Sequence, residues 1–157
     1  MKISKYLVLA LIFSASCQSE PGKTAASTKE AEYMDKEKTL VVPWNVQIND
    51  STHIMEIKRE PAADMTNLQP ADIVDALNLK YPETKLAWIK LDGSKAYINI
   101  GDATFLTQRS GSEGAQAYLA EVTYSLTELQ GVTAVEFTFK EGDHARPGVY
   151  TRSDFRF

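Results

Sequence analysis

The chain has 157 residues, 43% hydrophobic and 24% charged, which is enough apolar material for one domain with its own core. Its 17 Lys and Arg against 21 Asp and Glu give a net charge of −4, which argues against the basic face that a nucleic-acid ligand requires. The single cysteine excludes an intramolecular disulfide.

Residues 1–16 read as a secretory leader: basic Met1 to Lys5, an apolar run from Tyr6 to Phe13, then the small residues Ser14-Ala15-Ser16. The apolar run is too short to span a bilayer, which takes roughly 20 residues. Cys17 follows directly, and the arrangement resembles the lipobox of bacterial lipoproteins, with Ser14 where that pattern usually has Leu. The resemblance implies a lipidated Cys17 as the first mature residue and a membrane as a partner. The other reading is ordinary cleavage after Ser16 and a free thiol. Loss of Lys2 and Lys5 takes the basic residues from 17 to 15 against 21 acids, a net charge of −6. That argues against adhesion to anionic lipid by charge alone. Residues 17–38 carry no apolar period and read as a disordered tether with a reach of roughly 25 Å.

The folded domain is expected over 39–157. Val42, Trp44, Val46 and Ile48 alternate as a strand, with Pro43 marking an edge; Asn49-Asp50-Ser51 signals a turn, and a second strand runs from Ile54 to Arg59. A short helix is expected over 70–79, started by Pro70, with Ile73, Val74 and Leu77 on one face and Pro82 blocking its extension. Asp92-Gly93 joins strands 86–91 and 96–100 in a hairpin. Simple alternation turns Ala87, Ile89 and Leu91 inward with Ala96, Ile98 and Ile100. Trp88, Lys90, Tyr97 and Asn99 then face outward, an assignment that a one-residue change of register would partly reverse.

After a loop over 101–111, Ser112 is the expected N-cap of a helix that Gly131 stops. Its apolar stripe is Ala115, Tyr118, Leu119, Val122, Leu126 and Leu129. Val135, Phe137 and Phe139 then alternate as a strand, and Gly142 to Phe157 form a tail. The order β-β-α-β-β-α-β describes an α+β two-layer sandwich with a mixed sheet and both helices on one face. The last helix is expected to join two parallel strands that skip one position, a split β-α-β.

Residues 90–100 (KLDGSKAYINI), Gly111 to Ala115, Val122 to Thr127 and Gly131 to Val135 together resemble the sporulation and germination domain known as GerMN. Pro147 to Phe155 is similar to a tail seen in some members. The resemblance spans about residues 40–157. It implies a ring-building-motif-like fold and an exported, lipid-anchored protein of the bacterial cell envelope that supports assembly of other envelope components. It carries over no catalytic residue.

The residues offer little chemistry of their own, and a non-enzymatic protein without cofactor or metal is expected. His53 and His144 have no metal-ligand spacing, and no G-x-S-x-G elbow is present. Gly111-Ser112-Glu113-Gly114 reads as a helix cap rather than a phosphate cradle, since Glu113 would repel phosphate and no P-loop Lys follows. Trp88 and Tyr97, if both outward, form an aromatic patch, unless the N-terminal hairpin folds over it. Tyr150 and Arg152 in the tail are further binding candidates, beside Arg146. Two functions remain open: a scaffold for an envelope protein partner, or a module for peptidoglycan glycan or a small ligand, with aromatic faces stacking on sugar.

Overall fold

The computed structural model describes residues 40–52 and 54–156. Cys17, the leader, the tether and His53 lie outside the described residues. Strand β1 (Trp44–Ile48) and strand β2 (Met55–Arg59) form an antiparallel hairpin with Trp44 opposite Arg59 and Val46 opposite Ile57. The Asn49 side chain closes its turn by accepting the Ser51 and Thr52 amides at 3.0 and 3.1 Å. Helix α1 (Pro70–Lys80) begins with a proline whose missing N–H costs nothing there, and the Asp72 carboxylate accepts the Gln69 amide at 2.6 Å.

Strands β3 (Leu86–Asp92), β4 (Lys95–Ile100), β5 (Ala134–Thr138) and β6 (Gly148–Tyr150) form one sheet in that order. The β4–β5 pair is parallel and the outer two pairs are antiparallel. Between β4 and β5 run a five-residue π turn (Phe105–Arg109) and helix α2 (Gly111–Leu126). Ala96, Ile98, Ile100, Val135 and Phe137 are buried in one cluster with Ile73, Val74 and Leu77 of α1 and Ala115, Leu119, Val122 and Leu126 of α2. The fold is therefore the expected α+β sandwich, with both helices on one face of a mixed sheet.

Several details depart from the expectation. No strand separates β4 from β5. Strands β1 and β2 stay out of this sheet and pair with each other. They lie against α2, where the Val46 amide donates to Glu121 Oε2 at 2.9 Å. Ser112 is not the cap: the π turn runs straight into α2, Ser110 takes the cap position, and its hydroxyl donates to the Leu106 carbonyl at 2.7 Å. The helix also stops at Leu126, before Gly131, and a short strand, β6, emerges from the tail.

The β3 register holds a further correction. Asp92, Leu91 and Lys90 pair with Lys95, Ala96 and Tyr97, as simple alternation requires, but Trp88 pairs with Ile98 and Leu86 with Ile100. Ile89 is the extra residue, a bulge that leaves its side chain 56% exposed. Because side chains alternate with period two, one inserted residue flips everything before it. Leu86 and Trp88 consequently turn to the core, and Ala87 turns to solvent beside Asn99.

Candidate functional site

The flipped register separates the two aromatics expected to form a patch. Trp88 packs half-buried against the core, whereas Tyr97 stands on the opposite face of the sheet. Tyr97 is flanked there by the ammonium groups of Lys90 and Lys95, 4.6 and 4.8 Å from its ring centre. Those lysines are paired in turn with Asp92 and Glu136. This face is a solvated lattice of ion pairs around one ring. The N-terminal hairpin does not cover it, since it lies on α2.

The sheet edges are also guarded. At the start of β3, Asn78 of α1 takes both backbone groups of Leu86, donating to its carbonyl at 2.9 Å and accepting its amide at 2.7 Å. The bulge at Ile89 interrupts the remaining ladder. At the other edge β6 is only three residues long.

The tail candidates are engaged within the domain. The Tyr150 ring stacks on Phe155 and meets Phe137 edge-on at 5.6 Å, while its hydroxyl donates to the Arg146 carbonyl at 2.7 Å. The Arg152 guanidinium lies over Trp44 and Tyr124, at 5.1 and 4.9 Å. It donates to Thr127 Oγ1, the Tyr124 carbonyl and Glu128 Oε2 at 2.8, 3.0 and 3.0 Å. Glu128 also accepts from Trp44 Nε1 at 3.0 Å and Arg59 Nε at 2.9 Å. Burial pushes the Glu128 carboxyl up, but the hydrogen bonds from Arg59, Arg152 and Trp44 outweigh it and hold it below its ordinary value. This cluster ties hairpin, helix exit and tail together, and the sequence reading missed it.

Glu121 was missed as well. It is fully buried, yet its neighbours satisfy it: Val46 N–H and the Tyr81 hydroxyl donate to Oε2, and Lys80 Nζ donates to Oε1. At 100° per residue, Glu121 and Tyr124 fall on the side of α2 away from Ala115, Leu119, Val122 and Leu126, and Glu128 follows in the turn after the helix. One stripe serves the sheet and the other receives the hairpin. Polar side chains recurring at the spacing of a second stripe were the available signal.

A cleft of about 400 Å³ opens where the α1–β3 loop, the π turn and α2 meet. Tyr81, Pro82, Phe105, Leu106, Ala117 and Tyr118 form its walls, with Gly114 contributing no side chain at the base. Tyr81 and Tyr118 meet edge-to-face at 5.1 Å. Elsewhere, Ser112 Oγ lies 3.3 Å from His144 Nδ1 in an exposed contact. The loop carrying His144 docks on the π turn through its amide to the Thr107 carbonyl at 3.1 Å. Among the described residues, no group of three or more His, Cys, Asp or Glu could hold a metal ion, and no helix is long and apolar enough to cross a membrane.

These features define a sandwich module built for packing, with its charged side chains largely spent on internal ties. The family model Germane, described as sporulation and spore germination, matches residues 33–143. The chain belongs to this family, in agreement with the resemblance carried by residues 90–100 and 111–135. No curated protein and no solved structure matches the chain.

Proposed function

We propose that the protein is an exported envelope lipoprotein, anchored through Cys17, whose sandwich domain is a non-enzymatic interaction module in the assembly of other envelope components. Membership of the sporulation and spore germination family is the observation that carries this reading. The leader pattern ending in Ser14-Ala15-Ser16-Cys17 supports the anchor. The alternative, a wall-glycan module, needs aromatic faces open to a sugar ring; Trp88 and Tyr150 are turned into the domain and the outward Tyr97 ring is flanked by Lys90 and Lys95, which favours the assembly reading.

Two experiments test it. Growth with an alkyne-bearing fatty acid should label the wild-type protein and not Cys17→Ser; an unlabelled wild type removes the anchor. In-cell crosslinking followed by mass spectrometry should recover a reproducible envelope protein. Recovery of lipid and chaperones alone would remove the assembly role, and sedimentation with purified cell wall would shift the function to glycan binding.

A further inference from the structure

The cleft between the α1–β3 loop, the π turn and α2 has the size of a ligand site, and its wall chemistry restricts what can enter. The tyrosine, serine and lysine side chains of the lining are already engaged, which leaves the Glu83 carboxylate as its open charged group. The Tyr81 hydroxyl donates to Glu121, the Tyr118 hydroxyl to the Thr84 carbonyl, and the Ser110 hydroxyl to the Leu106 carbonyl. Lys80 donates to Glu121 and Asn45. Apart from that carboxylate, what remains facing the cleft is mainly ring edge, proline ring and aliphatic carbon. A polar ligand would lose hydration there without recovering hydrogen bonds, whereas an apolar group gains burial.

The backbone supports this shape. A π turn is rare and recurs at functional sites, and this one carries both Phe105 and Leu106 into the wall. Gly114 also lines the cleft, and a Cβ there would meet Ser110 Cβ at 3.3 Å, a close approach that accounts for glycine at this helical position.

Charge at the mouth narrows the occupant further. The lining has two charged residues, Lys80 and Glu83. Lys80 is neutralised by buried Glu121, while exposed Glu83 makes no ion pair among the described residues. Arg109 packs over the Phe105 ring at 5.6 Å and is not part of the lining. An apolar wall beneath an uncompensated carboxylate complements a hydrophobic side chain with a cation beside it.

We propose that this cleft is the docking point for a partner polypeptide and takes an aromatic or large aliphatic side chain adjacent to a Lys or Arg. The assignment rests on the reading of the domain as an interaction module. Its test probes the cleft alone, so a failure here leaves lipidation and partner recovery to be judged separately.

The test is a titration of the full-length protein, followed through the methyl signals of Leu106 and Ala117. The probes are the capped dipeptides Trp-Lys and Trp-Glu, with chitobiose as the saccharide. Trp-Lys should shift both methyl signals saturably, and Trp-Glu should bind about threefold more weakly, the scale of one exposed charge pair. Glu83→Gln should erase that difference. Ala117→Leu fills the cleft from a helix position that tolerates leucine and should abolish the Leu106 shift at an unchanged melting temperature. The proposal is overturned by absence of saturable shifts with Trp-Lys, by equal binding of the two dipeptides to the wild type, by undiminished binding to Ala117→Leu, or by chitobiose saturating the same signals more tightly.

Discussion

Replacing Glu121 by alanine should be the most damaging single truncation on the outer stripe of α2. The carboxylate is 0% exposed, and its removal strands three donors. The Val46 amide and the Tyr81 hydroxyl stay where they are, and a buried donor without a partner costs about 1–3 kcal/mol. Lys80 loses its counter-ion, but its side chain is 34% exposed, so the ammonium can turn to water. Breaking a buried ion pair costs about 3–5 kcal/mol in general, and the escape of Lys80 places this case near 3 kcal/mol. For a domain of this size that corresponds to a fall in melting temperature on the order of 10 °C. Urea denaturation gives the free energy, and amide exchange gives its location: the Val46 amide should exchange faster while the β4 amides change only with global stability. Replacing the whole pair, Glu121→Leu with Lys80→Met, should recover part of the loss, since no charge is left buried. A loss under 1 kcal/mol for Glu121→Ala, or an unchanged Val46 amide, would refute the account of how the hairpin is held.

Arg152→Ala should cost about 1–2 kcal/mol through the lost stacking and charged hydrogen bonds, and should change the Trp44 environment in fluorescence. Arg152→Lys should recover little, because an ammonium cannot reproduce the planar contact with two rings; full recovery would reduce the site to simple charge. A Cβ on Gly142 would lie 2.5 Å from Gln108 Nε2 and 2.6 Å from Thr107 Cβ, so Gly142→Ala should cost about 1–3 kcal/mol by pushing its loop off the π turn. An unchanged melt would contradict that close approach. Glu128 is held below its ordinary carboxylate value, so its contribution is present above the unfolded value and is lost as pH falls through the folded one. Burial raises the hydroxyls of Tyr81 and Tyr118, so theirs is present below the unfolded tyrosine value, about 10, and fades above it. Denaturation midpoints should accordingly plateau between about pH 5 and pH 9 and fall on both sides. Glu128→Gln should flatten part of the acid limb, and an identical acid limb in that variant would contradict the assignment.

Sequence periodicity located most of the framework because its signals were redundant. In α1, Pro70 and the spacing of Ile73, Val74 and Leu77 agree; in β4 and β5, strict alternation leaves only one buried face. Position 93 adopts φ 59° in the β3–β4 turn, which explains its glycine. The β3 face was ambiguous for a physical reason. Leu86 and Trp88 on one side and Ala87, Ile89 and Leu91 on the other are both apolar sets, so one bulged residue could choose either. Glu121 lies off the apolar stripe of α2, and helical periodicity cannot announce that a distant hairpin will cover it. The cleft was invisible to pattern reading, since Tyr81, Phe105 and Tyr118 lie on three elements that only the tertiary fold brings together. Of the candidate binding residues, Tyr150 and Arg152 are engaged in contacts within the domain, which their positions in a turn-rich tail did not announce.

The family match ends at residue 143, yet the sandwich does not. Beyond that point β6 completes the ladder on β5, Phe155 enters the core, and Arg152 reaches back to Trp44 of β1. A protein cut at the family boundary would present β5 as an open strand carrying Val135 and Phe137, the kind of edge that invites pairing between molecules. The residues beyond 143 thus finish the sheet and lock the hairpin, so the structural border of the fold lies past the border of the family match.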